Sequence, residues 1–262
     1  MKQYSRLVTL LTDFGTEDGY VGAMKGVLFR SVPQVSVVDI SHEIEPYAIR
    51  QAAFALLNYY HYFPAGTVHV VVVDPGVGTA RSGLVVETRD YFFVGPDNGV
   101  FSFVYERENF KAYRIREELF GEQVSPTFHG RDVFAPAAAQ LLNGKEPKAF
   151  TEPVEQLESF YVGFQQKDDN QLALQVIHID HFGNLVLNFT RDDFRKLNLP
   201  ETVKIKFKNG FLYGIQRTFA DAAEGQVLAL WDSSGFLQIA QNRGNAARLL
   251  QMEIGDTVLL QW

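Results

Sequence analysis

Apolar runs and polar breaks divide the chain into two textures. In the first, short apolar runs alternate with segments of helical spacing. Leu7 to Leu11 predicts a central strand. From Asp18 to Arg30 the apolar positions Val21, Met24, Val27 and Leu28 recur with a helical period, and Pro33 ends that helix. Val35 to Ile40 predicts the next strand, and Pro46 suits the first turn of a helix reaching Tyr60. Thr67 to Val73 follows as a third strand. Its four consecutive valines, Val70 to Val73, suit burial on both faces. Strand–helix–strand–helix–strand is the signature of a parallel sheet.

Two more strands, Leu84 to Glu87 and Tyr91 to Val94, flank a turn at Arg89-Asp90. Gly95-Pro96-Asp97-Asn98-Gly99 is a dense turn signal, with Asn98 placed to cap a following helix. Phe110 to Ile115 predicts a strand, and Val133 to Leu142 an alanine-rich helix stopped by Asn143-Gly144. Glu146 to Phe160 shows no period and reads as a connector. From about Gln171 strands dominate: Leu172 to Ile179, Leu185 to Phe189, Val203 to Phe207, Leu212 to Ile215, Val227 to Leu230, Phe236 to Ala240 and Asp256 to Trp262. Turns such as Lys208-Asn209-Gly210 separate them. The expected division is an α/β domain over residues 1–165, with a central, mostly parallel sheet, and a smaller, mostly antiparallel β domain over 166–262.

Composition narrows the function classes. A length of 262 residues fits one large or two smaller domains. A net charge of −7 without a long single-sign run argues against nucleic acid as the main partner. The chain has no cysteine, which excludes disulfides, thiolate metal sites and a cysteine nucleophile. Met1 to Leu7 lacks the apolar core of a signal peptide, and no apolar stretch approaches bilayer-spanning length, so the expected location is cytoplasmic.

The candidate chemistry gathers where strands end. Asp13 follows the first strand and Asp74 the third, with Pro75, Gly76 and Gly78 forming a loop that Arg81 closes. Asn98 and His129 begin or precede later turns. Open α/β sheets bind ligands at the C-terminal ends of their strands, and parallel strands bring those ends to one rim. Each residue also has a structural reading: Asp74 and Arg81 as a pin for their loop, Asp13 as a helix cap, Asn98 as a turn residue, His129 as a hydrogen-bonding group at a helix start. A divalent-metal site at Asp13, Asp74, Asp97 and His129 is a rival reading. No close ligand pair supports it, and Arg81 competes for Asp74. Gly76-Val77-Gly78 is half of a dinucleotide fingerprint, and there is neither a Walker pattern nor a Gly-x-Ser-x-Gly elbow.

Six segments in order carry a resemblance: Thr12-Asp-Phe-Gly15, Val73-Asp-Pro-Gly-Val-Gly78 with Arg81, Gly95-Pro-Asp-Asn-Gly99, Phe128-His-Gly-Arg-Asp132, Asp180-His-Phe-Gly-Asn184, and Ser234-Gly235 through Asn245-Ala-Ala247. Together they resemble the S-adenosylmethionine hydroxide adenosyltransferase family, relatives of the fluorinases and chlorinases. The resemblance implies an N-terminal α/β domain and a C-terminal barrel-like β domain. It also implies a homotrimer with sites between neighbouring subunits, and no cofactor besides S-adenosylmethionine as substrate. The implied reaction is attack of water or hydroxide on the ribose 5′-carbon, giving adenosine and methionine.

On the same resemblance, Asp74, Arg81 and His129 hold the attacking water. Asp13 grips the ribose hydroxyls, Asp180 the methionine ammonium and Asn184 the adenine side. Ser233 and Ser234 lie in the loop for the methionine carboxylate, Asn245 and Ala246 meet adenine, and Tyr47 supplies an aromatic near the substrate. Asn98 belongs to the binding set. The sulfonium leaves as a neutral thioether, so the chemistry needs a placed water and no general acid. Arg81 is expected to keep Asp74 ionised, a weak base and firm orienter. His129, before a helix N-terminus, is expected to stay neutral. Which of the two is the base is left open. The halogenases carry a non-acidic residue at the Asp74 position, so Asp74 favours water over halide. Ser234 stands where the fluorinase has arginine, and the Gln241 to Asn245 loop is longer. The alternatives are a 5′-halogenase, a non-catalytic S-adenosylmethionine or adenosine sensor, and a metal-dependent hydrolase.

Overall fold

The computed structural model describes residues 5–121 and 124–262. The N-terminal residues Met1 to Tyr4 of the leader reading lie outside them. The chain forms two compact units, Met1–Tyr161 and Val162–Trp262.

The first unit is built on seven strands: β1 Leu7–Thr12, β2 Ser36–Ser41, β3 Val68–Val72, β4 Gly83–Thr88, β5 Phe92–Pro96, β6 Phe110–Ile115 and β7 Thr151–Pro153. Their order is β2-β1-β3-β5-β4-β6-β7. The pairs β1–β2, β1–β3 and β3–β5 are parallel. The pairs β4–β5, β4–β6 and β6–β7 are antiparallel. The sheet is therefore mixed rather than mostly parallel. The physical reason is the short Arg89-Asp90 turn, which leaves no room for a crossover and forces β4 and β5 into a hairpin. The segment expected as a connector supplies β7 at the sheet edge.

Helices α1 Tyr20–Ser31, α2 Ile49–Tyr59, α3 Ser102–Arg107 and α4 Ala135–Leu142 belong to this unit. Val8, Leu10, Val70 and Val72 pack against Met24, Leu28, Phe134, Ala138 and Leu141 in one core. Thr9, Leu11, His69 and Val71 alternate to the other face. There His69 is buried against the rings of Tyr59, Tyr60, Phe63, Tyr91 and Phe93. Val70 to Val73 are all 2% exposed or less. Burial of each valine stabilises by about 1.5–3 kcal/mol, which anchors the strand that carries Asp74 at its end. Pro46 does not start α2, which begins three residues later at Ile49. The bonds Ala48 N–H to Glu45 O and Ile49 N–H to Tyr47 O hold Pro46 in a separate turn.

The second unit contains β8 Gln165–Asp168, β9 Gln171–Ile179, β10 Leu185–Thr190, β11 Lys204–Phe207, β12 Gly210–Tyr213, β13 Val227–Trp231, β14 Phe236–Gln241 and β15 Thr257–Gln261, with short helices α5 Arg191–Lys196 and α6 Ala246–Leu250. The path is β12-β11-β15-β9-β10-β14-β13, with β8 on β9. An isolated bridge, Gln216 to Leu230, links the segment after β12 to β13 and nearly closes the sheet. Leu174, Leu187, Phe189, Ile205, Ile239 and Leu260 fill its interior. No helix of the described residues is long and apolar enough to cross a membrane.

Candidate active site

The C-terminal ends of β1, β2 and β3 meet at one cavity of about 310 Å³. Asp13 and Phe14 enter it after β1, Pro46 and Tyr47 from the loop after β2, and Val72, Asp74 and Val77 from β3 and its loop. Tyr20 at the start of α1 and the Thr127 to Gly130 segment complete the wall. Phe14, Tyr20 and Phe128 contact one another edge-on or tilted, with ring centroids 5.2–5.8 Å apart. The cavity thus combines an apolar aromatic wall with a few convergent polar groups, the usual make-up of a small-molecule site.

Asp74, Arg81 and His129 come together although 55 residues separate the first from the last in sequence (129 minus 74). The Arg81 guanidinium makes a forked contact to Asp74, from Nε to Oδ1 at 3.1 Å and from Nη2 to Oδ2. The same Nη2 lies 3.2 Å from His129 Nδ1. The Asp74 and Arg81 side chains are 5% and 8% exposed, so the pair is shielded from water. Burial pushes the Asp74 carboxyl above the usual carboxylate range, outweighing the downward pull of Arg81. This corrects the expectation that Arg81 makes Asp74 a weak base.

One glycine of the Asp74 loop has a packing role. Gly78 has φ +75°, and a Cβ there would lie 2.2 Å from the Pro126 carbonyl oxygen. The missing side chain lets the Asp74 loop pack on the segment that leads to His129, rather than letting backbone approach a ligand. His129 itself directly precedes a π-helical turn, Gly130–Phe134, that runs into α4.

Asp13 uses Oδ2 to accept the Tyr47 backbone N–H at 2.9 Å. Its neighbour Thr12 is fully buried and shares a 2.8 Å hydrogen bond with His42 Nδ1. His42 Nε2 lies 3.1 Å from Asp39 Oδ1, and Lys25 reaches Asp39 at 2.5 Å. Partial burial raises the Asp39 carboxyl, but Lys25 and His42 together hold it below its ordinary range. The His42 carbonyl also accepts the Gly15 N–H at 2.8 Å. This network fixes the loop that presents Asp13.

Asn98 is not among the cavity walls. Its Nδ2 donates to Val73 O at 2.9 Å and its Oδ1 accepts from Val100 N–H at 3.2 Å, while α3 starts only at Ser102. It therefore ties the β5 turn to the end of β3 instead of capping the helix.

The remaining candidates lie in the second unit. Asp180 Oδ1 accepts the N–H groups of Phe182 and Asn184 at 2.9 Å, and Oδ2 accepts Asn184 Nδ2 at 2.8 Å. Asn245 caps α6, and Ala247 N–H donates to Gly183 O at 2.9 Å. Asp180, Asn184, Asn245 and the buried Ala246 are thus gathered at one place. Ser233 and Ser234 are not with them. In the β10–β14 ladder Leu185 pairs with Ile239 and Thr190 with Phe236. Asn184 and Ser234 consequently lie at opposite ends.

Sequence reasoning assigned no role to Phe14, Tyr20, Phe128 or Glu117. The last places Oε1 3.9 Å from His129 Nδ1. Phe14 and Phe128 stood inside quoted motifs, but only the fold reveals that they share a wall with Tyr20. Among the described residues, no group of three or more His, Cys, Asp or Glu side chains could hold a metal ion.

The chain matches the family descriptions "SAM hydroxide adenosyltransferase N-terminal domain" over residues 8–151 and "SAM hydroxide adenosyltransferase C-terminal domain" over residues 174–259. It belongs to the SAM hydroxide adenosyltransferase family. A relative from Methanocaldococcus jannaschii, named (R)-S-adenosyl-L-methionine hydrolase, is 38% identical over 96% of this chain and 94% of its own length. A fluorinase from Nocardia brasiliensis is 28% identical, covering 96% of this chain and 95% of its own. A solved structure of an uncharacterized conserved protein from Thermotoga maritima superposes with TM-score 0.88 at 35% identity, covering 97% of this chain and 100% of that one. The Asp74–Arg81–His129 set and the cavity beside it are built by residues of the first unit.

Proposed function

We propose that the chain hydrolyses S-adenosyl-L-methionine to adenosine and L-methionine, by in-line attack of water on the ribose 5′-carbon. The observation that carries this reading is the shielded Asp74–Arg81–His129 set on the wall of an aromatic cavity, in a chain whose 38% identical relative is named a hydrolase of the (R) form. The (R) configuration at sulfur is accordingly the proposed substrate.

The parts suit the task. The leaving group departs as a neutral thioether, so the protein has only to position water and exclude competitors. An anionic Asp74 repels a halide but welcomes a proton from water, which favours hydrolysis over halogenation. Asp13 keeps Oδ1 without a protein partner among the described residues, ready for the ribose hydroxyls. Tyr47 forms an aromatic wall beside it.

The proposal extends to assembly. A homotrimer would let Asp180, Asn184, Ser233, Ser234, Asn245 and Ala246 serve the methionine and adenine ends from a neighbouring subunit. Asn98 supports the site through β3 and β5 rather than by touching substrate. No cofactor is required by this chemistry, and the activity is assigned to the cytoplasm.

The test uses the two sulfonium epimers separately, with and without chloride, and separates products by liquid chromatography. Adenosine and methionine in equal amounts from the (R) epimer are expected, independent of chloride. A 5′-chloro nucleoside, or intact substrate throughout, contradicts the proposal.

A further inference from the structure

His129 and Asp74 both border the cavity, and position alone does not say which of them takes a proton from water. Hydrogen-bond bookkeeping separates them. Arg81 has only donors, and its Nη2 carries two hydrogens. One faces Asp74 Oδ2 and the other faces His129 Nδ1 at 3.2 Å. A contact between Arg81 and Nδ1 is a hydrogen bond only if Nδ1 offers its lone pair. The single proton of a neutral imidazole must then sit on Nε2. No side chain or backbone group of the described residues bonds to Nε2, and His129 lines the cavity.

We infer that Arg81 is a tautomer-setting residue: it fixes His129 with the proton on Nε2, so His129 gives a hydrogen bond to the attacking water and Asp74 takes the water's proton. This rests on the hydrolytic reading of the site. The count of bonds is complete. The water oxygen accepts from His129 Nε2–H with one lone pair and directs the other at the 5′-carbon. One O–H points to the Asp74 carboxylate. As the C–O bond forms, that proton moves to Asp74, and the C–S electron pair returns to sulfur, leaving a neutral thioether. Asp74 then releases the proton to solvent. The His129 proton never leaves the ring.

For His129 to act as the base instead, Nε2 would have to be bare and Nδ1 protonated. That would set an N–H of Arg81 against an N–H of the ring. Four other charged groups surround the ring or its partner: Arg81 and Asp74 as described, Glu117 at 3.9 Å from Nδ1, and Asp132 on the following turn, itself paired with Arg131. An ionised Glu117 could only accept from an Nδ1–H, and at 3.9 Å it lies beyond hydrogen-bond reach, while Asp132 is taken up by Arg131, so the 3.2 Å contact from Arg81 decides the tautomer.

The experiment compares His129→Gln, His129→Ala, Asp74→Asn and Arg81→Ala with the unaltered chain, alongside ¹⁵N spectra of histidine-labelled protein at neutral pH. Glutamine keeps an N–H near the Nε2 position and cannot act as a base. His129→Gln is expected to stay within about tenfold of the unaltered rate, while His129→Ala and Asp74→Asn lose about 10²-fold or more. The His129 spectrum, assigned by its loss in His129→Gln, is expected to show the Nε2–H tautomer, and Arg81→Ala to mix the two. Equal loss in His129→Gln and His129→Ala, or an Nδ1–H signature in the unaltered chain, overturns the inference. If the unaltered chain itself yields no adenosine, the hydrolytic reading fails first, and the spectra still decide the tautomer.

Discussion

The Asp13 carboxylate accepts the backbone N–H of Tyr47 at 2.9 Å, and Tyr47 is held at φ +70°. A tyrosine in the left-handed region costs of order 1 kcal/mol or more, and such strain persists where surrounding bonds enforce it. Here the Asp13 carboxylate enforces it together with the Ile49 N–H to Tyr47 O bond, and the reward is a ring placed on the cavity wall. Tyr47 is 71% exposed, so its side chain adds little to the core. Tyr47→Gly is therefore expected to raise the melting temperature by roughly 2–4 °C while raising KM, measured by calorimetry and steady-state kinetics. Lower stability together with unchanged KM would show that the ring is structural.

Asp74 sets the acid side of the activity profile. The base form is the ionised one, and burial lifts its pKa above the ordinary range. Activity should therefore fall, on acidification, at a pH higher than an exposed aspartate would give. Arg81 favours the ionised form, so Arg81→Ala should move that fall to still higher pH. The kcat/KM profile from pH 4 to 9 reads both. A limb that stays put in Arg81→Ala would remove Asp74 as its origin.

The Lys25–Asp39–His42–Thr12 network makes a stability prediction. Asp39 has a folded-state pKa below its ordinary value. The sign follows: its ionised form is favoured by folding, so the stabilisation is present above the unfolded-state pKa and lost as pH falls through the folded one. Asp39→Asn should flatten the acid side of the stability–pH curve in denaturant titrations. His42→Ala, which leaves the buried Thr12 hydroxyl with only the Phe14 N–H at 3.3 Å, should cost about 1–3 kcal/mol at neutral pH.

Gly78 packs two catalytic segments together. Gly78→Ala puts a Cβ 2.2 Å from Pro126 O in a backbone region that alanine avoids. The loop must shift, and displacement of about 1 Å at a reacting group can cost about 10²-fold in rate. A lower kcat with binding retained is expected. Unchanged kcat would show that the Asp74 loop adapts freely.

Much of this was legible in the sequence because the signals were local. Four valines ending in Asp74 mark a buried strand with a polar tip, and β6 runs from Phe110 to Ile115 as its pattern predicts. What was not legible depends on long-range pairing. Thr151–Pro153 is too short and polar to carry a strand period, and only its ladder to β6 makes it β7. Pro46 is compatible with a helix start, but the Asp13–Tyr47 bond, across 34 residues, holds a separate turn there. Proximity of Asp74 to Arg81 was implied by seven residues of spacing, whereas the bond from Arg81 to His129 Nδ1 required the fold. Six motifs in order indicated the family, and the match over residues 8–151 and 174–259 established it.

Turnover of (R)-S-adenosyl-L-methionine in ¹⁸O-water, followed by mass spectrometry of the nucleoside, tests attack of water at the 5′-carbon most directly. Adenosine carrying one ¹⁸O at its 5′-oxygen is expected, with unlabelled methionine released alongside it. Unlabelled adenosine, label in methionine, or a halogenated nucleoside in place of adenosine would contradict it.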